Sequence, residues 1–325
     1  MNTISSPTPH TSTTGERSQS GRRQPIDATT RIPTGKRALI LGGGGSTGNA
    51  WLIGVVAGIF DAGLDLTEAD LIVGTSAGST AAAQITCSTP VDQFAAVLDA
   101  PPQSPAQPVG PVARPNRAVA DHLARMKAII STANSADDMR RTMAAAALER
   151  TTVSDGSWQS GWRTTVAARL PSREWPEQSI LITAVDARTG EPVLFDNVSG
   201  VDLADAVAAS CASGLAYGID DGLYIDGGYR SNAENADLAS GYERVLVLSP
   251  FGGRSLHPQE WRTHLDAQVD GLRAGGSEVY VISPDSSVEY MFGANAMDIS
   301  LRPIAAQVGY DQGMALIDKV GELWQ

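Results

Sequence analysis

Apolar residues in this chain gather into short unbroken runs separated by glycine, proline and polar clusters. Arg37-Ala-Leu-Ile-Leu41 is the first such run and ends in four glycines, Gly42 to Gly45. Short apolar runs bounded by turn residues predict strands buried on both faces, the pattern of a parallel sheet. The same pattern predicts strands over 70–74, 179–185, 192–195, 222–226, 244–248 and 278–282. Helix-length segments lie between them, over 49–62, 77–87, 203–211, 258–274 and from 303 onward. Alternating strand and helix implies an α/β fold with a mostly parallel central sheet.

Two segments break the alternation. Residues 1–34 are rich in Ser, Thr, Pro, Gly and Arg and nearly devoid of apolar side chains, so they predict a disordered tail. Between 101 and 115 a proline-rich stretch leads into helical patterns over 118–133 and 136–151. That places a helical cap insertion at 101–151 inside a catalytic domain of 35–240, with 241–325 completing the same α/β unit. No internal repeat is visible.

Composition narrows the function classes. The 325 residues carry a net charge of −12, which argues against nucleic acid as a partner, since phosphate binding relies on clustered Lys and Arg. The longest apolar segment, 50–60, is shorter than a bilayer span and interrupted by glycines. The two cysteines, Cys87 and Cys211, lack the spacing of a zinc site or disulfide framework, and they fit small buried thiols in a reducing compartment. With no apolar leader in the first residues, a cytoplasmic protein is expected. The mildly basic tail, with Arg17, Arg22, Arg23 and Arg31, allows a peripheral, transient contact with an anionic membrane surface. No His, Asp or Glu cluster has ligand spacing, so neither metal nor cofactor is expected.

Three loops at predicted strand ends carry the chemistry. Gly74-Thr75-Ser76-Ala77-Gly78 is a G-x-S-x-G elbow between a strand and a helix. Gly74 and Gly78 allow the strand and helix to approach closely, and the turn presents Ser76 as a nucleophile at the carboxyl edge of the sheet. Gly43-Gly44-Gly45-Ser46-Thr47-Gly48 also fits a dinucleotide loop, but the next strand closes on Gly74-Thr75-Ser76 rather than on a ribose-binding acid. The loop instead fits an oxyanion hole of exposed backbone amides. Asp226-Gly227-Gly228 puts a carboxylate at the end of a third strand. Asp186 reads as a structural residue that anchors the turn at 188–191.

This ordered set of glycine loop, G-x-S-x-G elbow and Asp-Gly-Gly resembles the patatin-like phospholipase family, over roughly 37–238. The resemblance implies a three-layer α/β/α sandwich and a serine acyl-ester hydrolase acting on lipid esters through a Ser–Asp dyad. It implies Ser76 as nucleophile and Asp226 as base. Gly43, Gly44, Gly45 and Gly48 match the oxyanion-hole loop, Gly74 and Gly78 the elbow, and Gly227 and Gly228 the Asp loop. Thr47 stands where the family often has Arg or Lys. The partner implied is a lipid or other acyl-ester substrate. Three alternatives remain at this point. His257 follows Ser76 and Asp226 in the chain order of a conventional triad; the same serine also suits an acyltransferase; and an inactive site would leave a lipid-binding protein.

Overall fold

The computed structural model describes residues 35–101, 117–154 and 156–325. The expected tail at 1–34 and the proline-rich entry beyond Pro101 lie outside the described residues. In chain order the elements are β1 (Arg37–Leu41), α1 (Gly45–Asp61), β2 (Leu71–Gly74), α2 (Ala77–Cys87) and α3 (Pro90–Leu98). Then come α4 (Arg117–Thr132), α5 (Ala136–Thr152), α6 (Ser157–Ala167), β3 (Ile180–Asp186), β4 (Pro192–Phe195) and α7 (Leu203–Ser210). The chain closes with β5 (Tyr217–Ile219), β6 (Gly222–Asp226), β7 (Arg244–Leu248), α8 (Leu265–Ala274), β8 (Glu278–Ile282), α9 (Arg302–Ala315) and α10 (Ile317–Trp324).

The eight strands form one sheet in the order β5-β6-β3-β2-β1-β7-β8, with β4 paired to β3. β1, β2, β3, β7 and β8 run parallel, while β4, β5 and β6 add antiparallel pairings. Side chains alternate between two cores, as period-2 strands require. Leu39 and Leu41 of β1 face a core shared with α1, α2, α7, α9 and α10, and Ala38 and Ile40 face one shared with α8. Helices therefore cover both faces of the sheet, giving three layers. This is the mixed α/β fold that the runs of apolar residues predict.

The α1–α9 contact shows how tightly the first face is closed. A Cβ at Gly54 would overlap the Ala306 carbonyl, and one at Gly309 would overlap that of Trp51. Glycine on both helices lets the backbones touch, and Trp51 Nε1 donates to Gln312 Oε1 at 3.1 Å across the seam.

Several boundaries differ from the sequence pattern for local reasons. α1 begins at Gly45 rather than at 49, because the glycine loop itself forms the first helical turn. The segment 258–274 is divided by Arg262, whose φ of 53° is left-handed, so only Leu265–Ala274 is α-helical. The C-terminal helix is likewise interrupted at Leu316. α3, α6 and β5 lie in stretches with no clear periodicity. α3 starts from a Thr89 cap whose hydroxyl accepts from Asp92 N at 3.2 Å, followed by Pro90. α5 is capped by Ser135 in the same way and buries Met139, Met143, Ala144 and Ala147 against Val185, Ala187, Ala216, Ile225 and Tyr229.

Candidate active site

β2 leads into α2 through a single sharply turned residue, Ser76, with φ 52° and ψ −115°. A non-glycine residue in this region is strained by about 1–3 kcal/mol and persists only where its surroundings over-determine it. Here they do. Ser76 N donates to Ser210 Oγ at 2.9 Å, Ser79 Oγ donates to Ser76 O at 2.6 Å, and Gly78 N donates to Thr75 O at 2.8 Å. The turn also requires glycine beneath it. A Cβ at Gly78 would overlap the Leu41 carbonyl, and one at Gly74 would lie 2.6 Å from Ser79 Cα. Behind the elbow, Thr75 Oγ1 accepts from Thr183 Oγ1 at 2.9 Å and from Asn235 Nδ2 at 3.0 Å.

The register of β3 brings the second side chain in. Gly74 lies opposite Ile182 and Asp226 opposite Ala184, two residues further along the same strand. The residue two beyond Gly74 therefore meets the end of β6. Ser76 Oγ donates to Asp226 Oδ2 at 2.9 Å, and Asp226 Oδ1 accepts from Gly228 N at 2.8 Å. Asp226 is 7% exposed. Burial pushes its pKa up to about 6, against the lowering effect of these two hydrogen bonds.

The glycine loop passes directly beside the nucleophile; a Cβ at Gly43 would lie 3.5 Å from Ser76 Cβ. Its amides divide into two groups. Gly42 N donates to Leu248 O at 3.0 Å, Gly43 N to Ala233 O at 2.8 Å and Gly48 N to Gly44 O at 3.0 Å. The amides of Gly44 and Gly45, and that of Ala77 at the start of α2, have no acceptor among the described residues. Gly45 takes a left-handed φ of +65° and sits against Ala296, where a Cβ would come within 2.8 Å of the carbonyl oxygen. The four glycines proposed from sequence thus separate into Gly44 and Gly45, with amides free to meet a ligand, and Gly43 and Gly48, with amides committed to the fold.

The other residues singled out in the sequence lie apart from this centre. His257 Nδ1 pairs with Thr263 Oγ1 at 2.8 Å, and its ring tilts against Trp261. No hydrogen bond joins it to Ser76 or Asp226. Asp186 Oδ1 accepts from Arg188 N and Thr189 N, tying the 188–191 turn. Cys211 is free and half-buried, with Sγ 3.7 Å from Thr80 Oγ1, and burial raises its thiol to about 11. Among the described residues, no three His, Cys, Asp or Glu side chains are grouped to hold a metal ion, and no helix is long and apolar enough to cross a membrane.

Sequence reasoning passed over Ser210, Thr183, Asn235 and Arg302. Ser210 lies 134 residues from the amide that it accepts from, Asn235 lies 160 from Thr75, and Arg302 lies 256 from its acceptor in Ser46. Ser210 is the one with a local signal: its hydroxyl interrupts the small apolar run 206–212, and it is fully buried.

The solved structures similar to this one include two from bacteria. VipD from Legionella pneumophila is 16% identical, over 89% of this chain and 67% of its own, with a TM-score of 0.40. A structure of full-length SpcU in complex with full-length ExoU, from the type III secretion system of Pseudomonas aeruginosa, is 15% identical over 87% of this chain and 53% of its own, with a TM-score of 0.31. The chain therefore spans about two thirds of the length of the first and about half of the second. No curated protein sequence matches the chain. A family model, patatin-like phospholipase, matches residues 39–237, which is more than half of the chain and takes in the glycine loop, the elbow and the Asp-Gly-Gly loop. The chain belongs to the patatin-like phospholipase family, a family of lipid-ester hydrolases.

Proposed function

We propose that this protein hydrolyses acyl esters of lipids with Ser76 as the nucleophile and Asp226 as its base, without a histidine. The observation that carries this reading is the direct 2.9 Å hydrogen bond from Ser76 Oγ to Asp226 Oδ2, made by a serine held at a left-handed φ. A carboxylate of ordinary pKa is a poor acceptor for a serine proton. Burial raises Asp226 to about 6, so it is ionised at neutral pH yet more basic than an exposed aspartate.

In this scheme Ser76 Oγ attacks the acyl carbonyl carbon and its proton passes to Asp226. The carbonyl oxygen becomes an oxyanion that accepts from the amides of Gly44 and Gly45, with the Ala77 amide as a third donor. The tetrahedral intermediate collapses, and the leaving alcohol takes the proton from Asp226. Water then attacks the acyl-enzyme while Asp226 takes its proton; as the acyl–oxygen bond breaks, Asp226 passes that proton to Ser76 Oγ, and the acid and free Ser76 are released. The lipid substrate would reach the site at the carboxyl edge of the sheet. The described part of the 101–151 insertion borders that edge, since α5 packs on Tyr229, three residues after Asp226, and Tyr229 Oη donates to Ser213 O at 2.8 Å. We read the insertion as a cap within one α/β unit.

The test is Ser76→Ala with a soluble short-chain ester and a fluorophosphonate probe. Alanine fits the turn, so unfolding stability should change by about 1 kcal/mol or less, while turnover falls by several orders of magnitude. The probe should modify Ser76 in the wild-type protein. Turnover that survives in Ser76→Ala overturns the assignment.

A further inference from the structure

The glycine loop is held from outside by chain that lies beyond the family match. Thr47 Oγ1 donates to Met291 O at 2.9 Å, and Thr47 N donates to Ala296 O at 3.0 Å. Arg302, the first residue of α9, donates through one guanidinium nitrogen to Ser46 O at 2.8 Å and through the other to Asn49 Oδ1 at 3.1 Å. The peptide joining Ser46 to Thr47 is therefore fixed at both polar ends, its C=O by Arg302 and its N–H by Ala296. Asn49 Nδ2 in turn donates to Gln84 Oε1 at 2.9 Å, which links the same guanidinium to the helix that Ser76 opens. The backbone contact between α1 and α9 sets the distance at which Arg302 meets Ser46.

The electrostatics of this placement are unfavourable in the resting protein. Residues 42–49 carry no charge, and among the described residues no carboxylate pairs with Arg302. Burial and the like charge of Arg169 push its pKa down to about 10, so it stays cationic at neutral pH. It also sits at the amino end of α1, where the helix dipole is positive. A half-buried cation with neutral partners costs folding free energy. That cost has a chemical use if negative charge arrives beside it during the reaction.

We propose that Arg302 is a positioning residue for the oxyanion loop: it fixes the Ser46–Thr47 peptide so that the Gly44 and Gly45 amides stay aimed at the oxygen of the carbonyl that Ser76 attacks, and its positive charge offsets the negative charge that develops there. This rests on the function proposed above. It assigns the C-terminal segment a part in catalysis through the loop that it holds. Misplacing catalytic groups by about 1 Å is sufficient to slow such reactions by roughly 10²-fold.

The experiment compares Arg302→Gln and Arg302→Lys with wild type in the full-length chain, on p-nitrophenyl butyrate, with thermal unfolding of each. Arg302→Gln should lower kcat by roughly 10²-fold with KM within about twofold and Tm unchanged or raised. Arg302→Lys keeps the charge but not the two-pronged contact, so it should lose roughly 10-fold. Guanidinium chloride at sub-denaturing concentration should restore part of kcat in Arg302→Gln and none in wild type. A wild-type kcat in Arg302→Gln overturns the proposal, as does a fall in kcat that follows Tm without guanidinium rescue. Should Arg302→Gln fail to fold, a folded Arg302→Lys with wild-type kcat overturns it equally, and failure of both to fold makes Arg302 structural. Activity that survives Ser76→Ala removes the underlying reading, whereas Ser76-dependent activity indifferent to Arg302 removes only this one.

Discussion

The Asp226 loop and the loop carrying His257 each hold an ionisable side chain that burial drives toward its neutral form. Burial raises Asp226 to about 6 and lowers His257 to about 4, the latter with help from the charges of His264 and Arg140. Their contacts differ. Asp226 ends β6 and accepts from Ser76 Oγ and Gly228 N, whereas His257 is turned back on its own loop and pairs with Thr263. The difference teaches that burial tunes a base but contact selects it. Chain order alone places His257 where a triad histidine belongs. Sheet register instead carries Asp226 to the hydroxyl directly, leaving no space in the hydrogen bond for an imidazole. An imidazole with a pKa of about 4 would also be a weaker proton acceptor than a carboxylate at about 6.

The largest effect that bears on this contrast is expected from Asp226→Asn. The amide keeps the shape and can accept from Gly228 N, but it cannot take the serine proton. kcat/KM should fall by at least ~10³, a barrier increase of about 4 kcal/mol. Stability should move the other way. Because the folded pKa lies above the ordinary carboxylate value, the folded protein holds a proton between about pH 4 and pH 6 that the unfolded chain has released. Stability from this group therefore declines as pH rises through that window, and above pH 6 the buried charge costs up to about 3 kcal/mol. Asp226→Asn should recover part of this at neutral pH in denaturant unfolding. An inactive variant that is also less stable than wild type would mean that the carboxylate is held for the fold.

Next in size is the pH dependence of the wild-type enzyme. With Asp226 acting as the base, kcat/KM on a soluble ester should rise about tenfold per pH unit up to about 6 and level off above it. The plateau should begin at the same pH in His257→Ala. A limb that levels near 4 would describe an unperturbed carboxylate and contradict the burial argument.

How much of this was legible beforehand follows from the range of each interaction. β1, β4, β6, β7 and β8 match their apolar runs because a strand is written in consecutive residues, although β6 and β8 at the two sides of the sheet are buried only in part. Ser76 and Asp226 were visible for a related reason: a sharp turn at a strand end needs glycines within two residues, on both sides of Ser76 and directly after Asp226. The amides within the glycine loop were not separable by sequence. Gly43 and Gly44 are chemically identical neighbours, and only the Ala233 carbonyl, from 190 positions onward, decides that the first is committed. Arg302 was invisible for the same reason. It opens a helix of ordinary composition, and its meaning comes from α1 and α9 meeting backbone to backbone. α5 offered a mixed case: its capping serine is local, but the β3 and β6 side chains that receive its methionines are not.

The smallest expected effect is the most discriminating, His257→Ala. His257 borders a cavity of about 980 Å³ between the α4–α5 junction and the 256–261 segment, away from Ser76. Removing its ring deletes the Thr263 contact and part of the packing on Trp261, so kcat/KM should stay within about threefold of wild type, well short of the loss expected for Asp226→Asn. The variant should also show a specific change in acid. A histidine whose folded pKa is lowered to about 4 contributes stability that is present in full above its ordinary value and is lost as pH falls toward 4. His257→Ala should therefore unfold with a shallower loss of stability between pH 6 and pH 4 than wild type, while the activity profile keeps its inflection near 6. Equal and severe losses of kcat/KM in His257→Ala and Asp226→Asn would restore the histidine as the proton carrier and reduce Asp226 to its support.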